Sequence, residues 1–149
     1  MFIIRNAKKS DIEQILEIEK TSYSTPWDET AFLCELSKLA FNVNIFLAAE
    51  DEETGEIAGY IAGNIIIDYI HVLNIAVSEK YRKRGLGRIF MQKAEQEAVK
   101  RGLGALTLEV RENNEPAVNL YRKLGYEVKG RREKYYENMH DGLLMWKKL

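Results

Sequence analysis

The sequence predicts an α/β fold: a mixed central β-sheet flanked by helices. Short apolar runs of strand length, such as Ile45-Phe46-Leu47-Ala48-Ala49 and Ala105-Leu106-Thr107-Leu108-Glu109-Val110, alternate with longer runs whose apolar residues recur at helical spacing. Between Asn74 and Val110 a strand, a helix and a second strand follow one another, which makes the two strands parallel through a right-handed crossover. Elsewhere two strands flank a tight acidic turn, Asp51-Glu52-Glu53-Thr54-Gly55, the mark of an antiparallel hairpin.

A chain of 149 residues holds one domain with a real core and is too short for two ordinary ones, so residues 1–149 are expected to form a single domain. A net charge of −1 argues against a dedicated nucleic-acid binder, which carries a large basic excess. The single cysteine, Cys34, allows no intramolecular disulfide and no metal cluster, so no metal is expected and a reducing cytoplasm suits the chain. No stretch is long and apolar enough to cross a bilayer, and Met1-Phe2-Ile3-Ile4-Arg5 is not a signal peptide, so no membrane partner is expected.

The elements follow in order. Phe2-Ile3-Ile4-Arg5 reads as a strand. Ser10-Asp11-Ile12-Glu13 has the form of a capping box and opens a helix whose Ile12, Ile15, Leu16 and Ile18 face a sheet. Tyr23 to Asp28 breaks that helix. Thr25 is placed to cap the next one, with Pro26 in its first turn and Asp28 at its positive end. Phe32, Leu33 and Leu36 form its core face, and Cys34 beside them reads as a small buried thiol with no histidine near in sequence to activate it. Strands then follow at 45–49, 57–67 and 69–77, with a reversal at Asp68. His71 on the last of these reads first as a packed or surface histidine. Leu86, Ile89, Phe90 and Ala94 mark a central helix that ends at Arg101-Gly102. In the strand after it, Leu106, Leu108 and Val110 share one face, so Thr107 and Glu109 share the other. Asn114 is a plausible N-cap for a short helix carrying Ala117, Leu120, Tyr121 and Leu124, which Gly125 ends. The remainder reads as a terminal hairpin turning at Asp141-Gly142.

Chemistry concentrates between the 69–77 strand and the central helix, at Arg82-Lys83-Arg84-Gly85-Leu86-Gly87-Arg88. Backbone N–H groups at a helix N-terminus, with glycines leaving them open, form an anion site that basic side chains reinforce. The natural guest is a phosphate-bearing cofactor. A Walker A loop has no match here. The Rossmann fingerprint finds Glu109 at about the right distance for a ribose, but Phe90 stands where its third glycine belongs.

The remaining pattern, Arg/Gln-x-x-Gly-x-Gly/Ala, resembles the pyrophosphate loop of the GNAT acetyltransferases. Leu108-Glu109-Val110-Arg111-x-x-Asn114 and Ala117-Val118-x-Leu120-Tyr121-x-x-Leu124-Gly125-Tyr126 resemble the second half of that fold, specifically in the RimI-type protein N-terminal acetyltransferases. Ile18-Glu19 followed by Pro26-Trp27 is similar to the family's first loop, and Arg131-Arg132-x-x-Tyr135-Tyr136 to its closing hairpin. The match spans essentially the whole chain. His71 before Ile75-Ala76-Val77 also resembles the archaeal and eukaryotic Nα-acetyltransferases.

The resemblance implies a single-domain GNAT fold whose adjacent parallel strands splay apart to admit acetyl-CoA. It implies that the backbone of Ile75, Ala76 and Val77 lines the pantetheine arm, that one of those N–H groups polarises the thioester carbonyl, that Arg82 to Arg88 hold the pyrophosphate, and that Asn114 contacts the cofactor. It further implies Glu109 as general base and Tyr121 as general acid, with Tyr23, Trp27, Tyr135 and Tyr136 fencing a groove for the N-terminal segment of a protein, such as a small-subunit ribosomal protein with N-terminal alanine. Two other functions stay open: a GNAT enzyme acting on a small amine such as a polyamine, and a non-catalytic acyl-CoA-binding module. The basic run Lys129 to Lys134 fits a solvated hairpin better than RNA at this net charge.

Overall fold

The structure, a computed structural model, describes residues 1–136 and 140–149, and the side chains outside 133–140. Seven strands form one sheet: β1 (Phe2–Asn6), β2 (Asn44–Asp51), β3 (Ile57–Ile66), β4 (Tyr69–Val77), β5 (Ala105–Arg111), β6 (Glu127–Tyr136) and β7 (His140–Lys148), in the order β1-β2-β3-β4-β5-β7-β6. Every neighbouring pair is antiparallel except β4–β5. Helices α1 (Ile12–Ser22) and α2 (Glu29–Lys38) cover one face, and α3 (Leu86–Lys100) and α4 (Glu115–Lys123) the other. The mixed sheet flanked by helices is the fold class the sequence predicts.

Each face has its own core. Ile12, Ile15 and Ile18 of α1 and Phe32 of α2 pack on Phe46, Tyr60, Ala62 and Ala76. Opposite them Phe90, Met91 and Ala94 of α3 and Val118 and Tyr121 of α4 pack on Ile70, Val72, Leu106, Leu108 and Val110. The predicted alternation in β5 holds: its three aliphatics face α3 and α4, so Thr107 and Glu109 face the α1–α2 layer.

Four local expectations are corrected. The Ser10–Glu13 capping box does not form: a 3-10 turn over Lys9–Asp11 leads into α1, and the Asp11 carboxylate accepts from the Lys8 N–H at 2.8 Å and from Arg5. Tied to Arg5 and to the Lys8 N–H, Asp11 closes that turn and keeps Ser10 inside it, away from the cap position of α1. Helix α2 starts at Glu29, capped by Asp28, whose Oδ1 accepts from the Ala31 N–H at 2.9 Å; Thr25 and Pro26 lie outside it. Cys34 is exposed, on the outward side of α2 beside the Phe32 stripe. Asp141-Gly142 lies inside β7, with Gly142 paired to Arg111 and Arg132, because two flanking strands claim this segment.

The parallel pairing of β4 with β5 is short. It runs from Tyr69↔Ala105 to Val72↔Leu108 and then stops. On its other edge β4 carries an irregularity at the same level: Val72 pairs with Gly63 and Asn74 with Ala62, so Leu73 is an extra residue. Such a bulge bends and twists its strand. Here it coincides with the point where β4 leaves β5 and a gap opens. It also moves the side-chain alternation by one, so that Ile75 and Val77 join Ile70 and Val72 on the α3–α4 side while Asn74 and Ala76 face α1.

Just below the gap, the paired residues His71 and Thr107 join through Nδ1 and Oγ1 at 2.7 Å. Burial lowers the His71 pKa from its ordinary 6.5; the Glu109 carboxylate opposes that shift and Arg132 adds to it. Above about pH 6.5 the imidazole is neutral in folded and unfolded chains alike. As pH falls below that value the unfolded chain takes up the proton first, so stability drops until the lowered folded-state value is passed. Denaturant midpoints measured from pH 7.5 to 5 should therefore fall more steeply for the native protein than for His71→Gln. Parallel curves would show that the imidazole is not held neutral by its site.

Candidate active site

The site lies where β4 and β5 part. In the antiparallel β3–β4 ladder the Ser78 N–H bonds the Ala58 carbonyl at 2.8 Å, and pairs alternate, so the backbone of Ala76 also faces β3. The groups of Ile75 and Val77 face the gap. Of the three residues predicted to line a cofactor, the structure thus turns two toward the gap and commits Ala76 to the sheet.

The open edge does not leave its carbonyls bare. The Tyr23 hydroxyl donates to the Ile75 carbonyl at 2.6 Å, and Arg82 Nε donates to the Val77 carbonyl at 3.0 Å. Residues from the α1–α2 connection and from the basic loop therefore complete the edge that β5 abandons. Arg82 is a brace on β4, with a second contact from Nη2 to Ser22 Oγ at 3.5 Å.

The basic loop is shaped by two left-handed residues, Lys83 (φ 65°) and Gly85 (φ 77°), the latter the N-cap of α3. The first intrahelical bond runs from the Ile89 N–H to the Gly85 carbonyl at 3.1 Å. The N–H groups of Leu86, Gly87 and Arg88 precede it and have no acceptor within the helix. At Gly87 a Cβ would meet Leu120 Cδ2 at 3.4 Å, so the glycine lets α4 pack against the start of α3. Arg84 lies over the ring of Tyr81 at 5.3 Å, and the buried Tyr81 donates its hydroxyl to Asp51 Oδ2 at 2.8 Å. The β2–β3 turn thus holds the loop from behind. The open amides lie at the helix start where the sequence predicts them, while Arg82 and Arg84 are turned to Val77 and Tyr81.

The candidate proton-transfer groups come from opposite faces. Glu109 points to the α1–α2 side, its carboxylate paired with Arg132 at 2.7 Å. Tyr121 is buried in the α3–α4 core, edge-on to Tyr126 with ring centroids 6.1 Å apart. The two groups thus flank β5 on opposite sides. Asn114 caps α4, its Oδ1 accepting from the Ala117 N–H at 3.3 Å.

Of the residues expected to fence an acceptor groove, Tyr23 reaches the gap through Ile75. Trp27 packs its ring on Phe32, with centroids 5.2 Å apart, at the edge of the α1–α2 core. The side chains of Tyr135 and Tyr136 lie outside the described residues. Among the described residues no cluster of His, Cys, Asp and Glu is placed to hold a metal ion, and no helix is long and apolar enough to cross a membrane.

Sequence reasoning assigned no role to Glu19, Tyr60 or Asn74. Glu19 is 1% exposed. It accepts from the Trp27 N–H at 2.9 Å, from Asn74 Nδ2 at 3.0 and 2.9 Å, and from the Tyr60 hydroxyl. Burial and the adjacent Glu19 carboxylate push the Tyr60 pKa up, so the phenol remains a donor. A signal was present: Glu19 falls at i+7 from Ile12 and i+4 from Ile15, on the apolar stripe of α1, where a carboxylate needs a reason.

A family model described as the Acetyltransferase (GNAT) family matches residues 12–126. A Bacillus subtilis (strain 168) protein, provisionally named ribosomal protein bS18-alanine N-acetyltransferase, is 34% identical over 96% of this chain and 93% of its own. An N-alpha-acetyltransferase of Sulfurisphaera tokodaii is 36% identical over 95% of this chain and 90% of its own. The crystal structure of the ribosomal-protein-S18-alanine N-acetyltransferase from Escherichia coli superposes with a TM-score of 0.89 at 27% identity, covering 99% of this chain and 94% of that one. The chain belongs to the GNAT acetyltransferase family and, within it, to the RimI-type group of acetyl-CoA-dependent enzymes.

Proposed function

We propose that this enzyme transfers the acetyl group of acetyl-CoA to the N-terminal α-amine of a protein, with an N-terminal alanine of a small-subunit ribosomal protein as the first acceptor to test. The observation that carries the proposal is end-to-end similarity to enzymes named for that reaction, in both sequence and structure. Such an acceptor also places the enzyme in the cytoplasm.

The site supports a direct transfer. The Ile75 and Val77 N–H groups face the gap, where they can pair with the amides of a pantetheine arm and polarise a thioester carbonyl. The amides of Leu86 to Arg88, with Lys83 and Arg88, suit a pyrophosphate. Glu109 takes a proton from the acceptor ammonium, directly or through water, and the neutral amine attacks the carbonyl carbon. As the C–N bond forms, the C–S bond breaks and Tyr121 delivers a proton to the departing thiolate; the second proton leaves the acylated nitrogen for solvent, from which the Tyr121 phenol is restored. A peptide α-amine titrates near ~8 against ~10.4 for lysine, so its neutral fraction near pH 7 is greater by roughly two orders of magnitude. The groove walls must supply the rest of the selectivity.

Three outcomes test this reading. Gly87→Val sets a branched side chain against Leu120 and shifts the start of α3 with its open amides, and titration calorimetry should show acetyl-CoA binding weakened by about tenfold or more; unchanged affinity in a folded variant removes the loop from the cofactor site. Glu109→Gln and Tyr121→Phe keep shape and remove proton transfer, so turnover should fall by roughly 10²-fold each, with acetyl-CoA affinity little changed for Glu109→Gln. Near-native turnover in both assigns the roles to other groups. For the acceptor, mass spectrometry should find acetyl on the α-amine of a peptide beginning with alanine and carrying an internal lysine, and none on its N-blocked copy. Equal labelling of the lysine in both overturns the N-terminal assignment, and preference for spermidine promotes the small-amine alternative.

A further inference from the structure

The Glu19 carboxylate is the most deeply buried charged group of the α1–α2 face, and neutral donors surround it. Three of them belong to three different segments: the Trp27 N–H to the connection between α1 and α2, the Tyr60 hydroxyl to β3, and the Asn74 amide to β4 just beyond the bulge. No lysine, arginine or histidine pairs with Glu19 among the described residues. A carboxylate so placed is costly compared with an apolar side chain of the same size. Stability alone does not account for it.

Its partners show what it secures. Asn74 sits where β4 turns from β5, one residue before Ile75, whose carbonyl receives the Tyr23 hydroxyl. Trp27 closes the same connection four residues later. Glu19 thus pins one end of the Tyr23–Trp27 segment to the strand that borders the gap, and Tyr23 pins the other. Because Asn74 donates to both carboxylate oxygens, a shift of the segment would break bonds at Trp27 and Asn74 together.

We propose that Glu19 is a positioning residue that fixes the Tyr23–Trp27 segment against the splayed edge of β4 and so sets the fit of the acceptor without touching it or the acetyl donor. This rests on the segment's forming an acceptor wall, as the proposed function has it. The measurements are therefore made with whichever acceptor the native enzyme uses.

Glu19→Gln is nearly isosteric but turns one acceptor oxygen into a donor facing Asn74. Adding Asn74→Asp restores the match, because the new amide can donate to the new carboxylate while its oxygen still accepts from the Trp27 N–H, and the Tyr60 hydroxyl can turn to accept from the amide. Glu19→Gln should raise KM for the acceptor by about tenfold or more, the effect of losing a hydrogen bond to a charged group. The Kd for acetyl-CoA should stay near native. Amide exchange at Trp27 should quicken, a readout that needs no activity. The double variant should recover both the acceptor KM and the slow exchange. If Glu19→Gln cannot be purified folded, Tyr60→Phe removes one donor and should move the same two quantities less. The proposal is overturned if acceptor KM and Trp27 exchange stay native in folded Glu19→Gln, if acetyl-CoA affinity falls in step with the acceptor's, or if the double variant rescues neither. Failure of the native enzyme on every N-terminal peptide, with Trp27 exchange responding as expected, would count against the proposed acceptor and leave the positioning role of Glu19 standing.

Discussion

The site depends on the parallel ladder between β4 and β5 ending at Val72 and Leu108. A parallel pair in mid-sheet is ordinarily continuous, because each unpaired backbone group away from water is costly. Here the extra residue at Leu73 bends β4 at the level where pairing stops. The bulge also reverses the alternation of β4. Without it Asn74 would face α3, and the donors gathered around Glu19 would be divided between two layers.

An open strand edge inside a protein needs other partners, and the chain supplies them selectively. The carbonyls of Ile75 and Val77 are taken by Tyr23 and Arg82, each brought from a different segment of the chain. The N–H groups on the same edge are what a thioester-bearing ligand needs. This division explains why Arg82, read from sequence as one of several phosphate-facing cations, is occupied as a brace, and why Arg84 lies on Tyr81. The loop's shape is fixed before any phosphate arrives, which lowers the ordering cost of binding.

The two layers divide the chemistry. The α3–α4 layer carries the glycine loop and Tyr121, and the α1–α2 layer carries Glu19, Tyr23 and the side of β5 that presents Glu109. The two sets of residues meet at the gap where β4 and β5 part.

Much of this was legible in the sequence where the determinants are local. The N-cap at Asn114, the glycine loop, the end of α3 before Arg101-Gly102 and the alternation that turns Glu109 away from Leu108 each follow from residues within a turn or a few strand positions. Local signals failed where a stronger partner lay elsewhere. Arg5 and Lys8 fixed Asp11 in a turn that takes Ser10 out of the expected cap position, and β5 and β6 drew Asp141-Gly142 into a strand. What only the tertiary structure decided is the level at which β4 leaves β5, the capping of that edge by Tyr23 and Arg82, and the gathering of Trp27, Tyr60 and Asn74 around Glu19. The sequence by itself determined which elements form and which loop leaves backbone amides open at a helix start, because those depend on propensity, periodicity and backbone geometry over a few residues. The arrangement at the gap depends on hydrogen bonds between residues up to 60 positions apart, which exist only once the sheet has set its register.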